Sequence, residues 1–152
     1  TTGWKIGWAC APAPLINATR MAKQLFTFAG GSPFQPAIAA GLRLPDTYFT
    51  ALAADLQRKR DVLMTALDEC GLRPITPEGT YFITADVRGR RADGDGIAFC
   101  RELPSQAGIV AIPAAVLYDP RHELEGRHLV RFAFCKELST IARASEQLRA
   151  WA

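Results

Sequence analysis

Between Pro45 and Gly71 the chain reads "PDTYFTALAADLQRKRDVLMTALDECG", with no glycine or proline inside the stretch, and this limits the fold more than any other feature. Asp46 stands where a helix N-cap is expected. Phe49, Leu52, Leu56, Leu63 and Leu67 recur at helical spacing, and Gly71 supplies a stop. At 1.5 Å per residue such a helix spans roughly 35 Å, the width of a small domain. The spacing therefore predicts one long helix over 46–71 that links two lobes.

The flanks are mixed α/β. Ahead of the helix, Trp4, Ile6 and Trp8 of "WKIGWA" alternate with Lys5, Gly7 and Ala9, the period of a strand with one bulky and one small face. "PLINATRMAKQLFTF" reads as a helix, "GGSP" breaks it, and a short helix is expected from about Phe34 to Leu42. Beyond the long helix, "TYFITADV", "GIVAIP" and "HLVRFAFC" read as strands. A short helix is expected near Gly96 to Leu103, and a closing amphipathic helix carries Leu138, Ile141, Leu148 and Trp151 on one side. The "DPRHELEGR" stretch reads as an exposed polar loop. These elements make a second, smaller α/β lobe.

Composition excludes several classes of function. The chain has 152 residues, of which 49% are hydrophobic and 22% charged, enough to build a core. Its net charge is +3, and the clusters at Arg58 to Arg60 and Arg88 to Arg91 lack interleaved aromatic residues, so they read as solvated surface rather than a nucleic-acid patch. The cysteines Cys10, Cys70, Cys100 and Cys135 lie far apart with no CxxC pair, which points to a reducing cytoplasm rather than to zinc or a redox dithiol. No apolar run approaches the ~20 residues of a membrane span, and no stretch reads as a signal peptide. In "HELEGRH" the second histidine falls at His128, whereas a zincin needs it where Gly126 stands. "GRRADGDG" lacks the spacing of a dinucleotide loop and reads as a surface turn.

Two cations remain. Arg131 sits within "LVRFAFC", where Val130, Phe132 and Phe134 alternate with Leu129, Arg131, Ala133 and Cys135. A guanidinium in so apolar a strand must meet an anion or reach water. It is either an edge-strand or salt-bridged arginine, or a clamp for a carboxylate or phosphate. Lys5 has the same two readings, a solvated strand end or an anion site that Gly7 and Ala9 leave room to approach. No nucleophile is visible.

Taken in order, "TTGWKIGWACAP", "FQPAIA", "PEGTYFITADV", "GIVAIPAAVLY" and "HLVRFAFCK" resemble the C-terminal part of a class I/II aminotransferase of the fold-type I pyridoxal-phosphate superfamily. The likeness runs through nearly the whole chain and is nearest the branch of kynurenine, methionine and N-succinyldiaminopimelate aminotransferases. It implies an α/β fold: residues 1–45 as the end of a large cofactor-binding domain, 46–71 as a connecting helix and 72–152 as a small domain. It also implies pyridoxal 5'-phosphate as cofactor, amino acids and 2-oxo acids as substrates, a homodimer, and a cytoplasmic enzyme that contacts neither nucleic acid nor membrane. The family pattern S-x-K-T-F-x-x-T-G-W-[KR]-x-G would put the Schiff-base lysine about four residues ahead of Thr1, outside this chain. Lys5 then matches the position that contacts the cofactor phosphate. Arg131 matches the clamp on the substrate carboxylate. Tyr81 matches an aromatic position lining the substrate pocket, although an ordinary strand core residue fits it equally. The stretch from Phe28 to Phe34 resembles the one that reaches the neighbouring subunit's site. One alternative stays open: some transcription regulators carry an aminotransferase-like domain that senses an effector.

Overall fold

A computed structural model of the chain describes residues 3–152. They fall into two compact units, residues 1–49 and 50–152, with the boundary inside the long helix.

The first unit contains helix α1 (Ala13–Phe26), helix α2 (Phe34–Gly41) and the start of α3 (Asp46–Glu69). α1 opens on consecutive Pro12 and Ala13 followed by Pro14 in its first turn, where the missing amide of proline costs nothing. The strand expected at "WKIGWA" does not form: residues 5–10 carry no regular structure, and Lys5 takes a positive φ of 55°. Alternation alone cannot hold a strand, because its amides need a ladder, and no segment among the described residues pairs with this one. Trp4 instead stacks on Phe34 with ring centroids 4.9 Å apart.

α3 begins at Asp46, whose charge suits the helix N-terminus. The C-terminus closes on Gly71, whose φ of +81° lets Leu72 donate to the Leu67 carbonyl at 3.0 Å and Gly71 to Asp68 at 2.9 Å. The apolar stripe is buried only toward this end, at Leu63, Ala66 and Leu67.

The second unit is a four-stranded antiparallel sheet with helices on one face. Its strands are β1 (Arg73–Ile75), β2 (Phe82–Asp86), β3 (Ile112–Pro113) and β4 (Leu129–Ala133), in the order β1-β2-β4-β3. Helix α4 (Gly96–Ala107), the single turn α5 (Glu123–Gly126) and α6 (Leu138–Trp151) complete it. The pleat sends alternate residues to opposite faces. Ile83 and Ala85 of β2 and Val130 and Phe132 of β4 are buried in a core with Leu63 and Leu67 of α3, Phe99 and Leu103 of α4, and Ile141 and Leu148 of α6. Phe82, Thr84, Leu129, Arg131 and Ala133 are half-buried on the other face. Fully burying one such core side chain contributes about 1.5–3 kcal/mol, so this interleaving fixes the register.

"GIVAIP" gives only the two-residue β3, because Pro113 has no amide to continue a ladder. The three-residue β1 and the turn of α5 inside the polar 120s loop are additions to the expected elements. No helix among the described residues is long and apolar enough to cross a membrane.

Candidate active site

In the second unit the site is built around Arg131. Its strand β4 lies between β2 and β3, so Arg131 is not on a sheet edge; it faces Thr84 on one side and Ile112 on the other. The guanidinium carbon lies 4.1 Å from the ring centroid of Phe82. Nε is buried and has no hydrogen-bond partner. Leaving such a donor unsatisfied costs on the order of 1–3 kcal/mol, more for a charged group, and an anion bound at the guanidinium would offset it.

Among the described residues no salt bridge takes up this charge. Asp86 is the one carboxylate carried by the four strands, and it is engaged by Arg88: Nη2 donates to Oδ2 at 2.6 Å and Nε to Oδ2 at 3.0 Å, while the Arg88 amide donates to Oδ1 at 2.9 Å. Those hydrogen bonds from Arg88 hold the Asp86 carboxyl below the usual carboxylate range, against the opposing effect of its burial.

Tyr81 immediately precedes β2. Its carbonyl accepts from the Phe134 amide at 2.9 Å, and its ring lies 4.6 Å from that of Phe82, tilted by 43°. The side chain is 40% exposed, so it is not part of the core. Tyr81 and Arg131 thus each contact the ring of Phe82, a residue to which the sequence drew no attention. Its pairing with Ala133 makes it the diagonal neighbour of Arg131, and only the ladder register shows that.

Lys5 belongs to the first unit and is described there by itself. It lines an open concavity of about 640 Å³ together with Gly7, Lys23, Thr27, Gly30 and Gln35. A Cβ added at Gly7 or Gly30 would meet nothing within 4 Å, so the backbone there is open to approach. Gln35 fixes the rim by donating to the Gly30 carbonyl at 2.9 Å, and Lys23 reaches the Phe28 carbonyl at 3.5 Å. Among the described residues Lys5 makes no hydrogen bond or ion pair. Two ammonium groups beside accessible glycine backbone are a donor set suited to a phosphate. Of the segment from Phe28 to Phe34, Phe28 is 80% exposed with φ of +52° and Gly31 has φ of +61°.

The family model described as aminotransferase class I and II matches residues 1–146. The chain belongs to this family. It is 44% identical to a solved N-succinyldiaminopimelate aminotransferase from Mycobacterium tuberculosis, with a TM-score of 0.86 over 99% of this chain and 38% of that one. It is 38% identical to the methionine aminotransferase of Escherichia coli, across 97% of this chain and 37% of the relative. It is 34% identical to a kynurenine–oxoglutarate transaminase of Dictyostelium discoideum, across 97% of this chain and 38% of the relative. The chain thus spans well under half the length of these relatives. The α/β architecture of a fold-type I aminotransferase, expected from the resemblance, is the one observed.

Proposed function

We propose that the protein to which this chain belongs is a pyridoxal-phosphate-dependent aminotransferase that moves an amino group between an amino acid and a 2-oxo acid. The observation that carries this, within a family of aminotransferases, is the unpartnered Arg131 Nε on the open sheet face. Residues 1–45 then form the end of the cofactor domain, 46–71 the connecting helix and 72–152 the small domain.

Lys5 would hold the cofactor phosphate, since among the described residues its ammonium has no partner and the concavity around it exposes glycine backbone. When bound, the cofactor supplies an electron sink for the bond broken at the donor's Cα. Arg131 takes the substrate carboxylate through two parallel N–H bonds, which fixes the direction of the Cα substituents. Tyr81 and Phe82 exclude water from one side of that ion pair and so strengthen it. Tyr81 would touch the substrate, and Lys5 the cofactor. The protein is proposed to act in the cytoplasm as a homodimer, as the resemblance implies.

The test is a pair of donors, an accepted amino acid and the amine left by removing its carboxylate, given to the full-length protein. Removing one partner of a buried charge pair costs about 3–5 kcal/mol, so Arg131→Ala should lower kcat/KM for the amino acid by roughly two to four orders of magnitude and leave the amine unchanged. Arg131→Lys should restore only part, because the fork is lost. Equal use of the two donors by the unmutated protein would remove Arg131 from the role.

A further inference from the structure

We propose that Phe82 is a positioning residue: its ring holds the Arg131 guanidinium in the orientation that receives the substrate carboxylate. This rests on the reading of Arg131 as the carboxylate clamp.

An arginine carries about 2 kcal/mol of rotamer entropy, so a clamp that is to be ready must have its guanidinium plane fixed before the substrate arrives. Hydrogen bonds do not fix it here, since Nε has no partner and the strand carboxylate, Asp86, is taken by Arg88. What covers the group is Phe82, with the guanidinium carbon 4.1 Å from its ring centroid. A cation over an aromatic face is worth about 0.5–1 kcal/mol when exposed and about 2 when desolvated.

The register makes the contact possible. Phe82 pairs with Ala133 and Thr84 with Arg131, so Phe82 and Arg131 are diagonal neighbours on the same face, a separation that aromatic and long side chains bridge. Ala133, opposite Phe82, is small and leaves the ring room to lean toward Arg131. Thr84, opposite Arg131, is too short to displace it. Tyr81 lies against the same ring, with centroids 4.6 Å apart. With the guanidinium carbon held over the ring, the N–H groups in the guanidinium plane are left for a planar carboxylate, which makes two parallel bonds from that direction.

The experiment uses the full-length, cofactor-loaded protein with Phe82→Leu, Phe82→Tyr, Arg131→Ala and the double variant Phe82→Leu/Arg131→Ala. Two quantities are read: kcat/KM for the amino acid and for its decarboxylated amine, and the calorimetric Kd of glutarate, a carboxylate that cannot react. Phe82→Leu should raise the glutarate Kd and lower kcat/KM for the amino acid by about 3- to 30-fold, mostly through KM, with the amine unaffected. Phe82→Tyr, which keeps the ring face, should restore both. In the Arg131→Ala background Phe82→Leu should add no further loss. If Phe82→Leu does not fold, Phe82→Met carries the same comparison. Equal losses for amino acid and amine, or additive losses in the double variant, would make Phe82 a packing or substrate-contact residue and overturn the proposal. If Arg131→Ala itself lowers amino acid and amine alike, the clamp reading fails first, and the positioning role fails with it.

Discussion

Thr80 holds a φ of +63°, a region that costs an L-residue roughly 1–2 kcal/mol and that β-branched side chains seldom enter. The turn delivers Tyr81 to the head of β2, its ring against that of Phe82, so the strained residue directly precedes a candidate site residue. Thr80→Gly removes the Cβ conflict but adds chain entropy to the unfolded state, worth about 0.5–1 kcal/mol in the other direction. The net expectation is a gain of up to about 1 kcal/mol in urea denaturation. Lys5 also sits at positive φ, but its side chain is the feature that matters, because it is a cation with no partner among the described residues, beside exposed glycine backbone. Lys5→Ala should weaken cofactor retention in the full-length protein by about 1.5–3 kcal/mol, the scale of one charge-assisted hydrogen bond. Equilibrium dialysis measures it, and unchanged affinity would release Lys5 from the phosphate.

At the scale of elements, the junction of α4 with β4 shows how the sheet is held beneath its helices. The Gly96 amide donates to the Arg127 carbonyl at 2.9 Å, and a Cβ there would lie 2.7 Å from that oxygen and 3.2 Å from the Leu129 carbonyl. Those are backbone atoms that cannot swing aside. Gly96→Ala should therefore destabilise by about 1–3 kcal/mol despite alanine's better helix propensity, read as a lower denaturation midpoint with an unchanged slope. The helices α1, α2, α3, α4 and α6 were legible in the sequence because their periods and breaks are local. So were β2 and β4, whose buried face is the strict alternation of Ile83 and Ala85 with Val130 and Phe132. β1 was not, being three residues long, and "WKIGWA" misled because a period-2 pattern states a preference without supplying a partner strand. Arg131 stood out as a charge in an apolar strand. Phe82 did not, since its relation to Arg131 exists only once the ladder sets the diagonal.

Across the whole chain the two units differ in kind. Residues 50–152 hold the buried core, whereas α1 and α2 bury no residue, and Leu25 and Phe26 of α1 and Phe28 after it are at 80% exposure or more. The first unit carries Lys5 at an open, glycine-lined concavity, and the second carries Arg131 in a packed sheet. Amino-group transfer, as proposed above, is the central claim. It is tested most directly by following nitrogen. The full-length protein, loaded with pyridoxal phosphate, is given a panel of ¹⁵N-labelled amino acids with 2-oxoglutarate, and the products are resolved by mass spectrometry. The account predicts ¹⁵N-glutamate in equal amount to the 2-oxo acid formed from the donor. Donor consumed with its label released as ammonia, or retained in a decarboxylated amine, would contradict it.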